Sequence, residues 1–129
     1  MSIARVLVID DDAAVRRALA SALARGGFDV STAGDGAPAL RLVQIATPEL
    51  VLVDYNMPTD GLAVVQELRS RYGAAIYVAV LTGEENEKLR RRCLDAGADD
   101  VLIKPILPVE LRRLLTAAAL ALKVLPIAS

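Results

Sequence analysis

Five short apolar runs alternate along this chain with amphipathic stretches of helical length, and this alternation constrains the fold more than any other feature. Runs such as residues 6–9 and 50–53 have the length and the Val, Leu and Ile content of buried strands. The stretches between them place apolar residues at helical spacing, and several are followed by glycine. Strands that alternate with helices in this way are typical of βαβ units. The pattern therefore predicts an α/β fold, a parallel sheet with helices on both faces.

The chain has 129 residues, which is the size of one ordinary domain. We predict strands at residues 5–9, 28–32, 50–53, 76–81 and 100–103, and helices at residues 13–25, 37–45, 62–72, 84–96 and 108–122. Residues 1–122 are expected to form the folded domain, and residues 123–129 a C-terminal tail or the start of a linker.

The composition argues against several classes of function. The chain has no histidine, so any phosphoryl group carried by histidine must come from a partner. A net charge of −1 argues against direct binding to nucleic acid, and the single cysteine fits a reducing compartment. We find no secretory pattern and no apolar stretch long enough to span a bilayer. The sequence therefore predicts a cytoplasmic protein that does not enter a membrane.

Polar residues follow four of the apolar runs, at the point where each predicted strand ends. Asp10 and Asp11 follow the first run, Asp54 the third, Thr82 the fourth and Lys104 the fifth. Open parallel sheets bind ligands just outside the carboxyl ends of their strands. We therefore expect these side chains to lie close together at one edge of the sheet.

Such a set suits a divalent cation and a phosphoryl group. Two carboxylates 4 Å apart repel by about 4 kcal/mol at an effective dielectric constant near 20, so clustered acids raise their pKa or hold a cation. Oxygen ligands favour Mg²⁺, and a carboxylate can act as a nucleophile toward phosphorus. Simpler interpretations stay open: Asp12 fits a helix N-cap, Asp54 a turn residue, Thr82 an N-cap and Lys104 a surface lysine.

The order of these motifs resembles that of response regulator receiver domains of two-component signalling. The resemblance covers nearly the whole chain up to the last predicted helix, and no single motif would be specific alone. The matching residues are Val8-Ile9-Asp10-Asp11-Asp12, Leu52-Val53-Asp54-Tyr55-Asn56-Met57-Pro58, Leu81-Thr82-Gly83, and Gly97-Ala98-Asp99-Asp100 through Lys104-Pro105. The resemblance implies a flavodoxin-like fold, a doubly wound sheet of five parallel strands in the order 2-1-3-4-5, with residues 1–122 as the receiver domain.

The resemblance also implies the chemistry. Asp54 would be the phosphoacceptor, and Thr82 and Lys104 would bind the phosphoryl oxygens. The implied ligands of Mg²⁺ are Asp11, Asp54 and the backbone carbonyl of Asn56, with Asp10 acting through water. The phosphoryl group would come from a sensor histidine kinase or a histidine phosphotransfer protein, and phosphorylation would change the surface around residues 84–96 and the fifth strand. Such a domain promotes its own dephosphorylation but turns over no external substrate, and its last two helices could pack against a second copy or an output domain.

Three details of the motifs bear on these expectations. The segment Met57-Pro58-Thr59-Asp60-Gly61 is one residue shorter than the usual Met-Pro-x-Met-Asp-Gly, which predicts a tighter loop with differently placed carbonyls. Val101 stands where the family usually carries Tyr or Phe, so an aromatic rotamer switch is absent there. The resemblance also implies a cis peptide bond between Lys104 and Pro105, a geometry that only an X–Pro bond adopts cheaply.

Two other classes of function are alternatives. A protein-interaction module that keeps the fold but is never phosphorylated would be compatible with the short loop and with Val101. A haloacid-dehalogenase-like phosphatase would share the pattern Asp10-x-Asp12 after a strand. That class expects Thr or Val where this chain has Ala14, and its paired acids follow the lysine instead of preceding it.

Overall fold

The structure, a computed structural model, describes residues 2–58 and 60–128, with residues 123–128 described as backbone only. Five parallel strands form one sheet in the order β2-β1-β3-β4-β5, which confirms the predicted topology. The strands are β1 Arg5–Ile9, β2 Asp29–Ala33, β3 Leu50–Asp54, β4 Tyr77–Thr82 and β5 Asp100–Ile103. The helices are α1 Ala13–Arg25, α2 Gly36–Ile45, α3 Gly61–Tyr72, α4 Glu87–Ala96 and α5 Pro108–Ala128, and a 3-10 turn, Gly73–Ala75, precedes β4.

The strands β1, β3 and β4 are buried on both faces, which explains why they are almost continuously apolar, whereas the edge strand β2 is mostly exposed and carries polar residues. Leu7 and Ile9 of β1 belong to the core beneath α2, α3 and α4. Val6 and Val8 of the same strand belong to the opposite core, beneath α1 and α5. Because side chains alternate between the faces of a strand, each face receives an apolar layer. Because all the neighbouring strands pair in parallel, their carboxyl ends lie at one edge of the sheet.

The start of α4 differs from the prediction. The helix begins at Glu87 and not at residue 84, because the Asn86 side chain accepts hydrogen bonds from the backbone N–H groups of Lys88 at 2.9 Å and Leu89 at 3.3 Å. Asn is among the strongest N-capping residues. Residues 83–86 form an exposed loop. The interpretation of Thr82 as the N-cap of this helix is therefore wrong, since Thr82 is the last residue of β4.

The last helix is longer than predicted. The backbone of α5 is helical over Pro108–Ala128, beyond the expected end near Leu122. Ser129 and the side chains of residues 123–128 lie outside what the structure describes, so the role of residues 123–129 as a tail or linker stays a prediction. Within the described part of the chain, we find no helix with the length and apolar character needed to cross a membrane.

Candidate functional site

Asp10 lies directly after β1 and is only 1% exposed. Its backbone N–H donates to the carbonyl of Ala33 at 3.1 Å, and its Oδ1 accepts from the backbone N–H of Asp12 at 2.9 Å. A guanidinium nitrogen of Arg16 donates to the Asp10 carbonyl at 2.7 Å. The Asp12 side chain accepts from two backbone amides in the first turn of α1, which confirms its prediction as an N-cap. The strand-to-helix turn is thus fixed by four separate groups.

Asp54 is the last residue of β3 and is 5% exposed. Lys104 directly follows β5, and its ammonium donates to Asp54 Oδ1 at 3.0 Å and to Asp10 Oδ2 at 3.4 Å. One carboxylate oxygen each from Asp10, Asp11 and Asp54 lies within 4.8 Å of the other two. Asp11 is exposed, whereas Asp10 and Asp54 are buried. The structure therefore brings the ends of β1, β3 and β5 together, as the strand pattern predicts.

Two of the three clustered carboxylates, those of Asp10 and Asp54, share the Lys104 ammonium. Burial raises the pKa of Asp10 and the charge of Asp54 adds to this, outweighing the hydrogen bond from Asp12 and the attraction of Lys104. Burial by itself lowers the pKa of Lys104, but its hydrogen bond to Asp54 and the charges of both acids reverse this, so its pKa is raised overall. Lys104 therefore stays charged beside the two buried acids.

This donor set fits a Mg²⁺ ion. Three carboxylate oxygens lie close enough to face a common point, and hard oxygen ligands are those that Mg²⁺ prefers. The pKa of Asp10 is raised mainly by burial, and a cation bound beside it would favour its charged form. Asn56 lies two residues beyond Asp54 and is exposed. Its backbone carbonyl as a further ligand stays a prediction.

Thr82 ends β4, the strand between β3 and β5, and is 1% exposed. Its carbonyl accepts from the backbone N–H of Lys104 at 2.7 Å. Its Oγ1 accepts from the backbone N–H of Glu84 at 3.1 Å, within the loop that leads to α4. Thr82 thus contacts both the lysine segment and the α4 loop. The Lys104–Pro105 peptide bond is cis, as the resemblance implies.

The short loop after Asp54 requires glycine where it enters α3. A Cβ atom at Gly61 would lie 2.8 Å from the backbone oxygen of Asp54. Asp60 caps α3 by accepting from the backbone N–H of Leu62 at 3.0 Å. The close approach at Gly61 agrees with a tight loop. Thr59 lies outside the described residues, so the altered carbonyl placement stays a prediction.

Two contacts near the site escaped the sequence analysis. One is the hydrogen bond from the Arg16 guanidinium to the Asp10 carbonyl. The other is a 3.2 Å hydrogen bond from the guanidinium of Arg92, in α4, to the hydroxyl of Tyr55. The adjacency of Arg16 to the acid cluster was the available signal for the first, but no sequence pattern pairs Tyr55 with Arg92.

Val101 is buried. It borders a surface hollow of about 350 Å³ whose other lining residues are Glu84, Glu85, Asn86, Glu87, Arg90 and Ile103.

Comparison with known proteins places this geometry in a family. A family model described as the response regulator receiver domain matches residues 6–116. The transcriptional regulatory protein PrrA of Mycobacterium leprae is 44% identical over 108 residues, which are 83% of this chain and 46% of PrrA. The response regulator MprA of a Mycobacterium species is equally similar over the same shares. The chain thus spans about half the length of these curated relatives.

Solved structures share the fold. The chemotaxis protein CheY4 of Vibrio cholerae superposes with a TM-score of 0.84 at 30% identity, covering 89% of this chain and 98% of that one. NtrX of Brucella abortus, solved in complex with ADP, gives a TM-score of 0.88 at 27% identity, covering 99% of this chain and 28% of that one. The family match, the curated relatives and the shared fold together show that the chain belongs to the response regulator receiver domains, the signalling domains of two-component systems.

Proposed function

We propose that this chain is a cytoplasmic phosphoacceptor switch, in which Asp54 receives a phosphoryl group from a phosphohistidine on a sensor histidine kinase or a histidine phosphotransfer protein. One observation supports this more than any other. The Lys104 ammonium joins Asp54 and Asp10, and an oxygen of Asp11 lies within 4.8 Å of both acids. The acceptor Asp54, the Lys104 ammonium and the acid pair Asp10 and Asp11 thus share one largely buried pocket.

The transfer forms one bond and breaks one. A carboxylate oxygen of Asp54 attacks phosphorus, the P–N bond of the donor breaks, and its electron pair returns to the imidazole ring. Bound Mg²⁺, held by Asp11, Asp54 and the Asn56 carbonyl with Asp10 acting through water, would neutralise these acids and the phosphoryl oxygens. Lys104 has three N–H donors, so it can turn one toward the phosphoryl group. Later attack by water at the same phosphorus would break its bond to the Asp54 oxygen, which releases inorganic phosphate and returns the free carboxylate.

The phosphoryl group would act on Thr82 and through it on α4. It would carry roughly −1.5 to −2 charge, in place of the single negative charge of the Asp54 carboxylate. If the Thr82 side chain rotates so that Oγ1 moves toward the phosphoryl group and its hydroxyl donates there, Oγ1 leaves the Glu84 backbone N–H that it now accepts from. Two charged hydrogen bonds, to Thr82 and Lys104, contribute about 3–6 kcal/mol together. A shift from 1:99 to 99:1 needs about 5.5 kcal/mol, so we infer a population shift in the α4 loop and β5.

Intact-mass measurement after treatment with acetyl phosphate and Mg²⁺ tests the acceptor. We expect one phosphoryl adduct on the parent and none on Asp54→Asn. Asp60→Asn is the matched control, because Asp60 is an exposed acid of the same loop and Asn retains its capping role. An adduct that persists in Asp54→Asn would show a different acceptor. No adduct on the parent would favour the interaction module that is never phosphorylated.

The last two helices offer a surface for a further partner. Leu94 of α4 is 37% exposed, and Val109 and Leu120 of α5 are 50% and 58% exposed. The curated relatives are about twice as long, and one is named a transcriptional regulator. These residues support contact with an output domain or a second copy of the chain. Sedimentation with and without beryllofluoride and Mg²⁺ would detect self-association, and an unchanged monomer would leave the output domain as the partner to test.

A further inference from the structure

We propose that Arg16 is a positioning residue for the acid pair, which holds the peptide between Asp10 and Asp11 in the orientation that Mg²⁺ binding requires. The proposal rests on the proposed function to the extent that the acids bind Mg²⁺. Arg16 itself is not placed among the ligands. It acts through the backbone that carries them.

The side chain of Arg16 folds back from α1 onto the end of β1. Its backbone N–H makes an ordinary first-turn helix bond to the carbonyl of Asp12 at 2.9 Å. Its guanidinium donates to the carbonyl of Asp10 at 2.7 Å. Asp10 is buried, and a buried carbonyl needs a partner. Arg16 provides that partner.

The neighbouring loop leaves room for this guanidinium. A Cβ atom built on Gly34, between β2 and α2, would lie 3.0 Å from Nη1 of Arg16 and 3.6 Å from its Cζ. The guanidinium is therefore enclosed between the β1–α1 turn and the β2–α2 loop, and the side chain is half-buried. Arg17, the next residue, is exposed. The two adjacent arginines thus have different surroundings.

The carbonyl of Asp10 and the amide of Asp11 belong to one planar peptide group. Rotation of that plane would change the direction in which the Asp11 side chain leaves the backbone, and would pull on the Asp10 carboxylate beside it. Arg16 opposes this rotation by binding the carbonyl end of the plane. Groups that orient metal ligands from outside the ligand set typically change metal affinity by 10–100-fold.

The charge of Arg16 acts in the opposite direction. A cation near the pocket repels Mg²⁺, so removing its charge would tighten Mg²⁺ binding if electrostatics were its only role. Positioning predicts weaker binding instead. The sign of the change therefore separates the two roles, and a purely structural role in folding would leave the Mg²⁺ affinity of the folded protein unchanged.

Two NMR measurements without a phosphodonor test the proposal. In Mg²⁺ titrations of ¹⁵N-labelled protein, we expect about 10-fold weaker binding for Arg16→Met than for the parent, and parent-like binding for the control Arg17→Met. Arg16→Lys keeps the charge but lacks the planar fork, so it should also bind more weakly than the parent. In metal-free Arg16→Met, the ¹⁵N resonance of Asp11 should shift, because its peptide group loses a hydrogen bond at the carbonyl.

Equal or tighter Mg²⁺ binding by Arg16→Met, or an unmoved Asp11 resonance, would overturn the positioning role. If Arg16→Met does not fold, Arg16→Lys provides the test, because it keeps the charge and loses the planar fork; parent-like Mg²⁺ binding by Arg16→Lys would then overturn the proposal. Absence of Mg²⁺ binding by the parent would instead contradict the metal site of the proposed function. The two failures are therefore distinguishable.

Discussion

Replacing Lys104 with Met should destabilise the metal-free protein, because it removes the one ammonium that the carboxylate pocket contains among the described residues. The change keeps a long apolar side chain and removes the contacts at 3.0 Å to Asp54 and 3.4 Å to Asp10. Both acids are almost fully enclosed. They would then face each other and Asp11 without compensation.

The size of the effect follows from these distances. At an effective dielectric constant near 20, unit charges at such separations attract by about 5 kcal/mol for each pair. The desolvation of the ammonium offsets much of this. Removing one partner of a buried pair costs about 3–5 kcal/mol. Because the Lys104 side chain is 30% exposed, we expect the lower end, about 3 kcal/mol out of a total of roughly 5–15 kcal/mol.

Urea unfolding of metal-free protein at neutral pH would measure this loss. Lys88→Met is the matched control, because Lys88 is an exposed lysine in the first turn of α4 and should change stability by less than about 0.5 kcal/mol. Added Mg²⁺ should stabilise Lys104→Met more than the parent, since the ion no longer competes with the ammonium. Parent-like stability of metal-free Lys104→Met, or equal stabilisation of both proteins by Mg²⁺, would refute the reasoning.

Three further predictions concern Asp10, the Arg69 guanidinium at the amino ends of β4 and β5, and the loop glycine Gly61. Burial, with the Asp54 charge adding to it, raises the pKa of Asp10, so the stability that this group contributes is complete below the ordinary pKa of 3.8 and is lost as the pH rises through the raised pKa of the folded state. Metal-free Asp10→Asn should therefore gain stability over the parent in urea titrations as the pH is raised from about 4 to 7. A variant less stable than the parent at pH 7 would contradict this. Arg69→Met should lower the free energy of unfolding by about 3–4 kcal/mol, because the guanidinium donates to three backbone carbonyls and a carboxylate. A loss below 1 kcal/mol in urea unfolding would show that these hydrogen bonds contribute little. Gly61→Ala should slow phosphorylation by acetyl phosphate in intact-mass time courses, because its Cβ would lie 2.8 Å from the backbone oxygen of Asp54. Gly83→Ala is the control, because a Cβ there meets no atom within 4 Å. Equal phosphorylation rates for both variants would argue against this.

Much of the fold could be predicted because its signals are local. Strand residues such as Leu7 and Val8 are apolar because both faces of the sheet are covered, and this burial leaves runs that are readable in the sequence. Asp12 was predictable as an N-cap because capping depends on a few neighbouring residues. The start of α4 was not predicted correctly, because Asn86 competes as a cap with the hydroxyl of Thr82 and only the observed hydrogen bonds decide between them.

The sequence by itself determined the strand ends, and with them the acids, hydroxyl and ammonium that lie at one edge of a parallel sheet. The tertiary structure alone decided which of these groups touch, since Lys104 and Asp10 are 94 residues apart and meet only because β5, β4, β3 and β1 lie side by side. It also decided that Arg16 supports the acid pair and that Arg92 reaches Tyr55. Such contacts depend on how helices pack over the sheet and on side-chain directions, which no short stretch of residues encodes.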